Sequence, residues 1–235
     1  MLPEQEAAVS VEAVLFDLDG TLYDRDRLVA ELVQDQYEAF AGELAAIDRT
    51  RFVDAVLAMD EHGYGDKKAG YAHVVRDLGL PAAMAERLVE HFWANYHGLC
   101  ELAEDTRQTL QALRARNVKL GIVTNGRVAM QRRKIAALGL DPWFDTILIS
   151  EAEGVRKPDA EIFRRAVARC SVEPGAAVFV GDHPQIDVGG ALGAGLGAIW
   201  KSVPYWQAVA DVQAVTHLSE ILPILGVEAR MGSLP

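Results

Sequence analysis

The sequence is short of cysteine and of positive charge, and it lacks any long hydrophobic run. Cys100 and Cys170 are its only cysteines, too few for a disulfide framework or a cysteine-ligated metal site. Cys170 continues the apolar spacing of Ile162, Phe163, Ala166 and Val167, which predicts a buried helix face. Lys and Arg total 23 against 34 Asp and Glu, a formal charge of −11. That balance speaks against nucleic acid or an anionic membrane as partner, since both require a positive footprint. The one dense basic run, Arg132-Arg133-Lys134, reads as a solvated helix face. No window approaches the roughly 18 unbroken apolar residues of a membrane span. The acidic start Met1–Glu12 lacks the basic and apolar parts of a signal peptide. The expectation is a soluble protein of a reducing compartment, the cytoplasm.

What is present suits a globular chain. Half of the 235 residues are hydrophobic and 24% are charged, enough to bury the core of one or two domains. Short apolar runs recur at residues 13–16, 119–123, 146–149, 177–180 and 198–200, as expected of buried parallel strands. Between the later runs lie helical patterns. Val128, Ile135 and Leu138 mark one, stopped by Gly139, and Pro158 is expected to open another at a first-turn position. This alternation predicts an α/β fold with a doubly wound parallel sheet.

One connection is too long. Successive later strands begin about 30 residues apart, the length of a βαβ unit, whereas some 107 residues separate Phe16 from Thr124. The surplus of about 70 carries helical spacing, with Val29, Leu32, Val33, Tyr37 and Phe40 on one face and Leu88, Val89, Phe92 and Trp93 on another. It predicts a smaller helical domain at 26–98 inserted into an α/β domain formed by 1–25 and 99–235. Within the insertion, His62 to Gly70 reads as a loop.

The polar residues sit where ligands bind in open α/β sheets, at the carboxyl ends of strands. Strand one runs into Asp17-Leu18-Asp19-Gly20-Thr21, and strand two into Thr124-Asn125-Gly126. Arg156-Lys157-Pro158-Asp159 follows strand three; Gly181-Asp182 follows strand four, with Asp187 five residues on. Asp17 and Asp19, two apart, are expected to lean to one side, with Asp182 converging on them. Two unit charges 4 Å apart interact by about 4 kcal/mol at an effective dielectric of 20, so such crowding calls for a cation. The candidate ligands are all oxygens, which suits Mg²⁺ rather than zinc. Lys157, Thr124 and Asn125 add a positive charge and hydrogen-bond donors, a cradle for a phosphoryl group. A carboxylate nucleophile beside a metal and a lysine is equipped to form an aspartyl-phosphate.

In these four motifs, taken in order, the chain resembles the haloacid dehalogenase superfamily of phosphotransferases and hydrolases. The first is Asp17-Leu-Asp-Gly-Thr-Leu22, the second Thr124-Asn125-Gly126, the third Lys157-Pro158-Asp159 and the fourth Gly181-Asp182 through Asp187. The helical insertion resembles the cap of one subgroup. The resemblance implies that Asp17 attacks phosphorus and that Asp19 acts as general acid and then base. It further implies that the Asp17 carboxylate, the Asp19 backbone carbonyl and Asp182 hold Mg²⁺, with Asp187 supporting the metal shell or orienting Lys157. Thr124 and Asn125 would bind phosphoryl oxygens, and Lys157 would offset charge on nucleophile and phosphate.

Within that resemblance, Asp19 favours a phosphatase over a 2-haloacid dehalogenase, because a departing alkoxide needs a proton and a halide does not. A phosphomutase of the β-phosphoglucomutase type shares every motif named, and a non-catalytic regulatory protein would be expected to have lost one. The expected partner is a small phosphorylated metabolite. Similar motifs occur in phosphatases of phosphoglycolate, N-acylneuraminate 9-phosphate and nucleoside monophosphates, and neither the substrate nor the oligomeric state is set by the sequence. The cap is expected to close over the site, with Tyr64, Lys67 and Lys68 helping to select the leaving group. His183 reads as loop variation, and His91 and His97 as bystanders. Met59, Met84 and Met130 read as core fillers. The stretch Gly189–Gly197 follows a helical pattern and precedes a strand, the wrong order for a dinucleotide fingerprint, and is read as close helix packing ended by Gly195.

Overall fold

The computed structural model describes residues 11–227, so the reading of the acidic start falls, but for Val11 and Glu12, outside the described residues. Five apolar runs form strands: β1 (Ala13–Phe16), β2 (Lys119–Thr124), β3 (Thr146–Ile149), β4 (Ala177–Gly181) and β5 (Gly197–Lys201). A sixth, β6 (Gln213–Val215), went unforeseen because it has no apolar run and two of its three residues are exposed. All pairings are parallel, in the order β3-β2-β1-β4-β5-β6. From β1 the chain fills one side of the sheet through β2 and β3, then returns to fill the other from β4 onward. The order therefore reverses beside β1, which makes its carboxyl end the topological switch point.

The longer helices, in chain order, are α1 (Arg25–Ala39), α2 (Arg49–Asp60), α3 (Lys67–Asp77), α4 (Met84–Tyr96), α5 (Glu104–Ala115), α6 (Val128–Ala137) and α7 (Ala160–Cys170). Helix α7 shows how the sheet is covered. Its Ile162, Phe163, Ala166, Val167 and Cys170 are buried against Ala13, Leu15, Val123, Leu148 and Phe179 of four strands. The Phe163 and Phe179 rings meet edge to face at 5.0 Å. Burial pushes the Cys170 thiol up to about 11, which makes it inert packing. The helix starts at Ala160 because the Asp159 carboxylate accepts the Glu161 N–H at 2.9 Å. Pro158 thus precedes the cap instead of occupying the first turn. The glycine-rich stretch does pack closely: a Cβ on Gly190 would lie 2.7 Å from the Phe163 ring.

Residues 24–101 form a compact unit of their own. Here α1 packs on α2 and α4, and α3 on the same two, closing a ring of four helices. Their interior contains a satisfied polar chain, Tyr71 donating to Gln36 Oε1 at 2.7 Å and Gln36 donating to the Leu88 carbonyl at 2.8 Å. A second buried cluster corrects the expected loop His62–Gly70. Asp60 accepts one hydrogen bond from Arg25 on each oxygen, at 2.7 Å on Oδ2 and 2.9 Å on Oδ1, and Oδ1 also lies 2.7 Å from Lys67 Nζ. The helix already begins at Lys67, capped by Asp66 accepting from Ala69 N–H at 2.7 Å. Lys67 is therefore a buried structural cation, while Lys68 and Tyr64 are exposed.

Burial alone would raise the Asp60 pKa, but hydrogen bonds and charge from Arg25, with Lys67, outweigh it and hold it below the usual carboxylate range. Removing one member of such a buried cluster leaves uncompensated charge, at a cost of about 3–5 kcal/mol. Asp60→Ala is accordingly expected to destabilise the helical unit by about that amount. Chemical denaturation followed by circular dichroism measures it, and a change below about 1 kcal/mol would show that the cluster contributes little.

Candidate active site

Strand register builds the site. Phe16 lies level with Ile122 of β2 and Val180 of β4, so Asp17, Thr124 and Asp182 emerge within one residue of the same height. The Asp17 N–H donates to the Val180 carbonyl at 2.9 Å, continuing the sheet by one rung. Two glycines make the approach possible. A Cβ on Gly20, whose φ is +82°, would lie 2.8 Å from Asp182 Oδ2, and one on Gly181 would strike the Asp187 side chain.

Lys157 stands at the centre, 2% exposed, with its Nζ 2.5 Å from Asp17 Oδ1 and 2.7 Å from Asp187 Oδ1. The same ammonium lies 5.3 Å from the Phe179 ring centroid. Asn125, directly after β2, clasps the Lys157 backbone, donating to its carbonyl at 3.0 Å and accepting its N–H at 2.9 Å. The expected phosphoryl ligand is thus also what fixes the lysine's loop. Asp187 comes from a single π-type turn, Pro184–Gly189. Its second oxygen accepts the His183 N–H at 3.0 Å, and Trp200 Nε1 donates to the Asp182 carbonyl at 2.7 Å. His183 caps that turn, its Nδ1 accepting from Gln185 and Ile186 N–H, both at 3.2 Å, and its ring lies 4.5 Å from that of Trp206. Burial pushes its pKa down, which suits the accepting, neutral imidazole.

Carboxylate oxygens of Asp17, Asp182 and Asp187 all lie within 4.8 Å of one another. Burial raises Asp17 to about 7; Lys157 pulls it down, and Asp187 and Asp19 push it up. Asp182 rises to about 8 through burial and then the charges of Asp17 and Asp187, against Lys157. Burial alone would lower the Lys157 pKa, but the two aspartates outweigh it and hold the ammonium above its usual range. Three buried carboxylates around a single ammonium carry surplus negative charge, and an all-oxygen donor set of this kind fits Mg²⁺.

The Asp19 side chain takes a different course from the expected convergence with Asp17. The strand has ended at Phe16, so period-two alternation no longer applies. Asp19 Oδ1 lies 2.6 Å from Lys134 Nζ and accepts from the Tyr23 hydroxyl, while Oδ2 accepts from Gln131 Nε2 at 2.8 Å. Gln131 Nε2 also lies 2.6 Å from Thr124 Oγ1. This corrects the reading of Arg132-Arg133-Lys134 as a solvated face. Arg132 and Arg133 are exposed, but Lys134 is buried. Gln131 and Lys134 are three residues apart and share a face of α6. The polar pair at that spacing, directly after a motif-bearing strand, was the signal that could have found them.

Similarity to known proteins agrees with this geometry. The family model of haloacid dehalogenase-like hydrolases matches residues 11–195. The chain belongs to that family. It is 28% identical over 225 residues to a glyceraldehyde 3-phosphate phosphatase of Pyrococcus furiosus, covering 92% of this chain and 93% of the relative. The structure of a haloacid dehalogenase family phosphatase from Thermococcus onnurineus superposes with a TM-score of 0.64 at 30% identity, over 93% of this chain and 99% of that one. A 2-haloacid dehalogenase from Pseudomonas syringae gives 0.59 at 27% identity, over 92% and 98%. The parallel sheet and flanking helices are those of this hydrolase family, and no described helix is long and apolar enough to cross a membrane.

The raised carboxylate pKa values have a measurable consequence for this hydrolase. A group whose folded pKa is raised binds protons in the folded state that the unfolded chain has released, so it lowers stability as pH climbs from about 4 to about 8. A divalent cation binding the ionised cluster reverses that loss. Mg²⁺ near 100 Kd is therefore expected to stabilise the fold by up to about 3 kcal/mol at about pH 8 and by less at about pH 5, seen as a larger rise in Tm at the higher pH. Asp182→Asn should abolish the difference. An equal shift at both pH values in scanning calorimetry would contradict the assignment of the cation to this cluster.

Proposed function

We propose that this hydrolase is a Mg²⁺-dependent phosphatase that cleaves a small phosphate monoester through an aspartyl-phosphate on Asp17. The observation that supports this most strongly is Lys157 Nζ, 2.5 Å from Asp17 Oδ1 and anchored by Asp187 at 2.7 Å. That contact keeps a buried carboxylate available as a nucleophile and sets a positive charge beside the transferring group. Lys157 is in this reading a catalytic residue together with Asp17 and Asp19.

In the first half-reaction an Asp17 oxygen bonds to phosphorus, the ester P–O bond breaks, and its electron pair stays on the departing oxygen. Asp19 supplies the proton that this oxygen needs. In the second, Asp19 takes a proton from water as the water oxygen bonds to phosphorus, and the Asp17 carboxylate leaves with inorganic phosphate released. Thr124 accepts from Gln131 through its oxygen, so its own O–H is left to donate to a phosphoryl oxygen. Asn125 uses one Nδ2 hydrogen on Lys157 and has a second to offer. Mg²⁺ would be held by the carboxylates of Asp17 and Asp182 and the Asp19 backbone carbonyl, with Asp187 behind them, and would offset charge on the phosphoryl group. Residues 26–98 are in the same reading the cap, and 1–25 with 99–235 the catalytic core.

Asp19 is the reason to prefer phosphate ester over carbon–halogen cleavage, for a halide leaves unprotonated. The Pyrococcus furiosus relative is named for glyceraldehyde 3-phosphate, which supports a small phosphorylated metabolite as substrate.

Phosphate release across sugar phosphates, small phosphoacids and nucleotides is the test. Release with Mg²⁺, loss with EDTA, and a fall of at least about a thousandfold in folded Asp17→Asn are expected. Halide release from 2-haloacids in place of phosphate would overturn the proposal. Isomerisation of a sugar phosphate without net release would replace the phosphatase with a mutase.

A further inference from the structure

The residue that carries the proton in this proposal is held by a built network. Lys134 and Gln131 are 8% and 2% exposed, and each reaches a different oxygen of Asp19, at 2.6 and 2.8 Å. Lysine on a helix normally extends its ammonium into water. Burying it against a carboxylate is a poor way to gain stability, because desolvation offsets the attraction. Donors on both oxygens fix the plane of the carboxylate as well as its position. Gln131 also ties Asp19 to Thr124 through one nitrogen. Gly126, with φ of +150°, leaves the room this requires, since a Cβ there would lie 3.0 Å from Gln131 Cγ and Cδ.

We infer that Lys134 and Gln131 are positioning residues for proton transfer, aligning the Asp19 carboxyl group with the oxygen that enters or leaves beside Thr124. The inference rests on Asp19 being the general acid and base, and it concerns residues argued to act through Asp19. Its signature is dependence on the leaving group. A p-nitrophenolate departs with little help from a proton, whereas an alkoxide requires one, so a misaligned acid slows the second kind of ester selectively. A residue of merely structural importance slows both alike.

The experiment compares kcat/KM for p-nitrophenyl phosphate and for an alkyl phosphate that the wild type hydrolyses, in Lys134→Met, Gln131→Leu and Asp19→Asn. Lys134→Met is expected to lose about 10- to 100-fold on the alkyl ester and less than about threefold on the aryl ester, within the range of general acid catalysis. Gln131→Leu should shift in the same direction by less. Asp19→Asn tests the underlying reading separately. If it slows both esters equally, Asp19 is not the acid. If it discriminates while the other two variants slow both esters equally or not at all, the positioning role is overturned. Thermal unfolding reports whether each variant folds; should Lys134→Met fail to, Gln131→Leu, which removes only a neutral amide, decides.

Discussion

The ion cluster of Lys157 with Asp17 and Asp187 is the constraint on which the rest of the site depends. A buried ammonium tolerates the loss of water only because two carboxylates stand at 2.5 and 2.7 Å, and each of those carboxylates tolerates burial only because of the ammonium. The three groups come from the residue after β1, from the segment after β3 and from the turn after β4. Holding them within ion-pair distance therefore fixes three strand ends at once. The Asn125 clasp on the Lys157 backbone and the Trp200 bond to the Asp182 carbonyl are supports for the same centre. The sheet order explains why it is there: β1 has β2 on one side and β4 on the other, and only beside such a reversal do three loops converge.

Around this centre the charges do not balance. Asp182 adds a third carboxylate within 4.8 Å, and Asp17 and Asp182 sit near 7 and 8 as a result of burial and crowding. An excess of this kind is costly unless something cationic joins it. The protein's own lysines do not supply it, since Lys134 is committed to Asp19 and Lys157 to Asp17 and Asp187. The surplus is what makes a divalent cation part of the proposed chemistry.

Much of this was legible in the sequence, and the exceptions have physical causes. Strands buried on both faces announce themselves as apolar runs, so β1 to β5 were found to within a residue at either end. β6, with two exposed residues and no run, was invisible to the same rule. The strand-end residues Asp17, Thr124 and Asp182 could be placed together because parallel register fixes their height, whereas Lys157, eight residues beyond β3, was placed by its motif. Lys134 and Lys67 were misread for one shared reason: a lysine is expected in water, and only its partner's position, Asp19 in one case and Asp60 in the other, reveals that it is buried. Those partners are 115 and 7 residues away, and nothing in local composition encodes the pairing. The same limit hid the course of the Asp19 side chain, which follows its partners rather than the strand's alternation once the strand has stopped.

The central claim is that phosphorus is transferred to Asp17 before it reaches water. Rapid quenching of the enzyme during turnover, followed by mass spectrometry of the peptide that contains Asp17, tests it directly. A phosphoryl group found on Asp17, appearing and decaying at the rate of turnover, is the result the account predicts. Phosphate release with no phosphoryl group on that peptide, or with one on another residue, would contradict it.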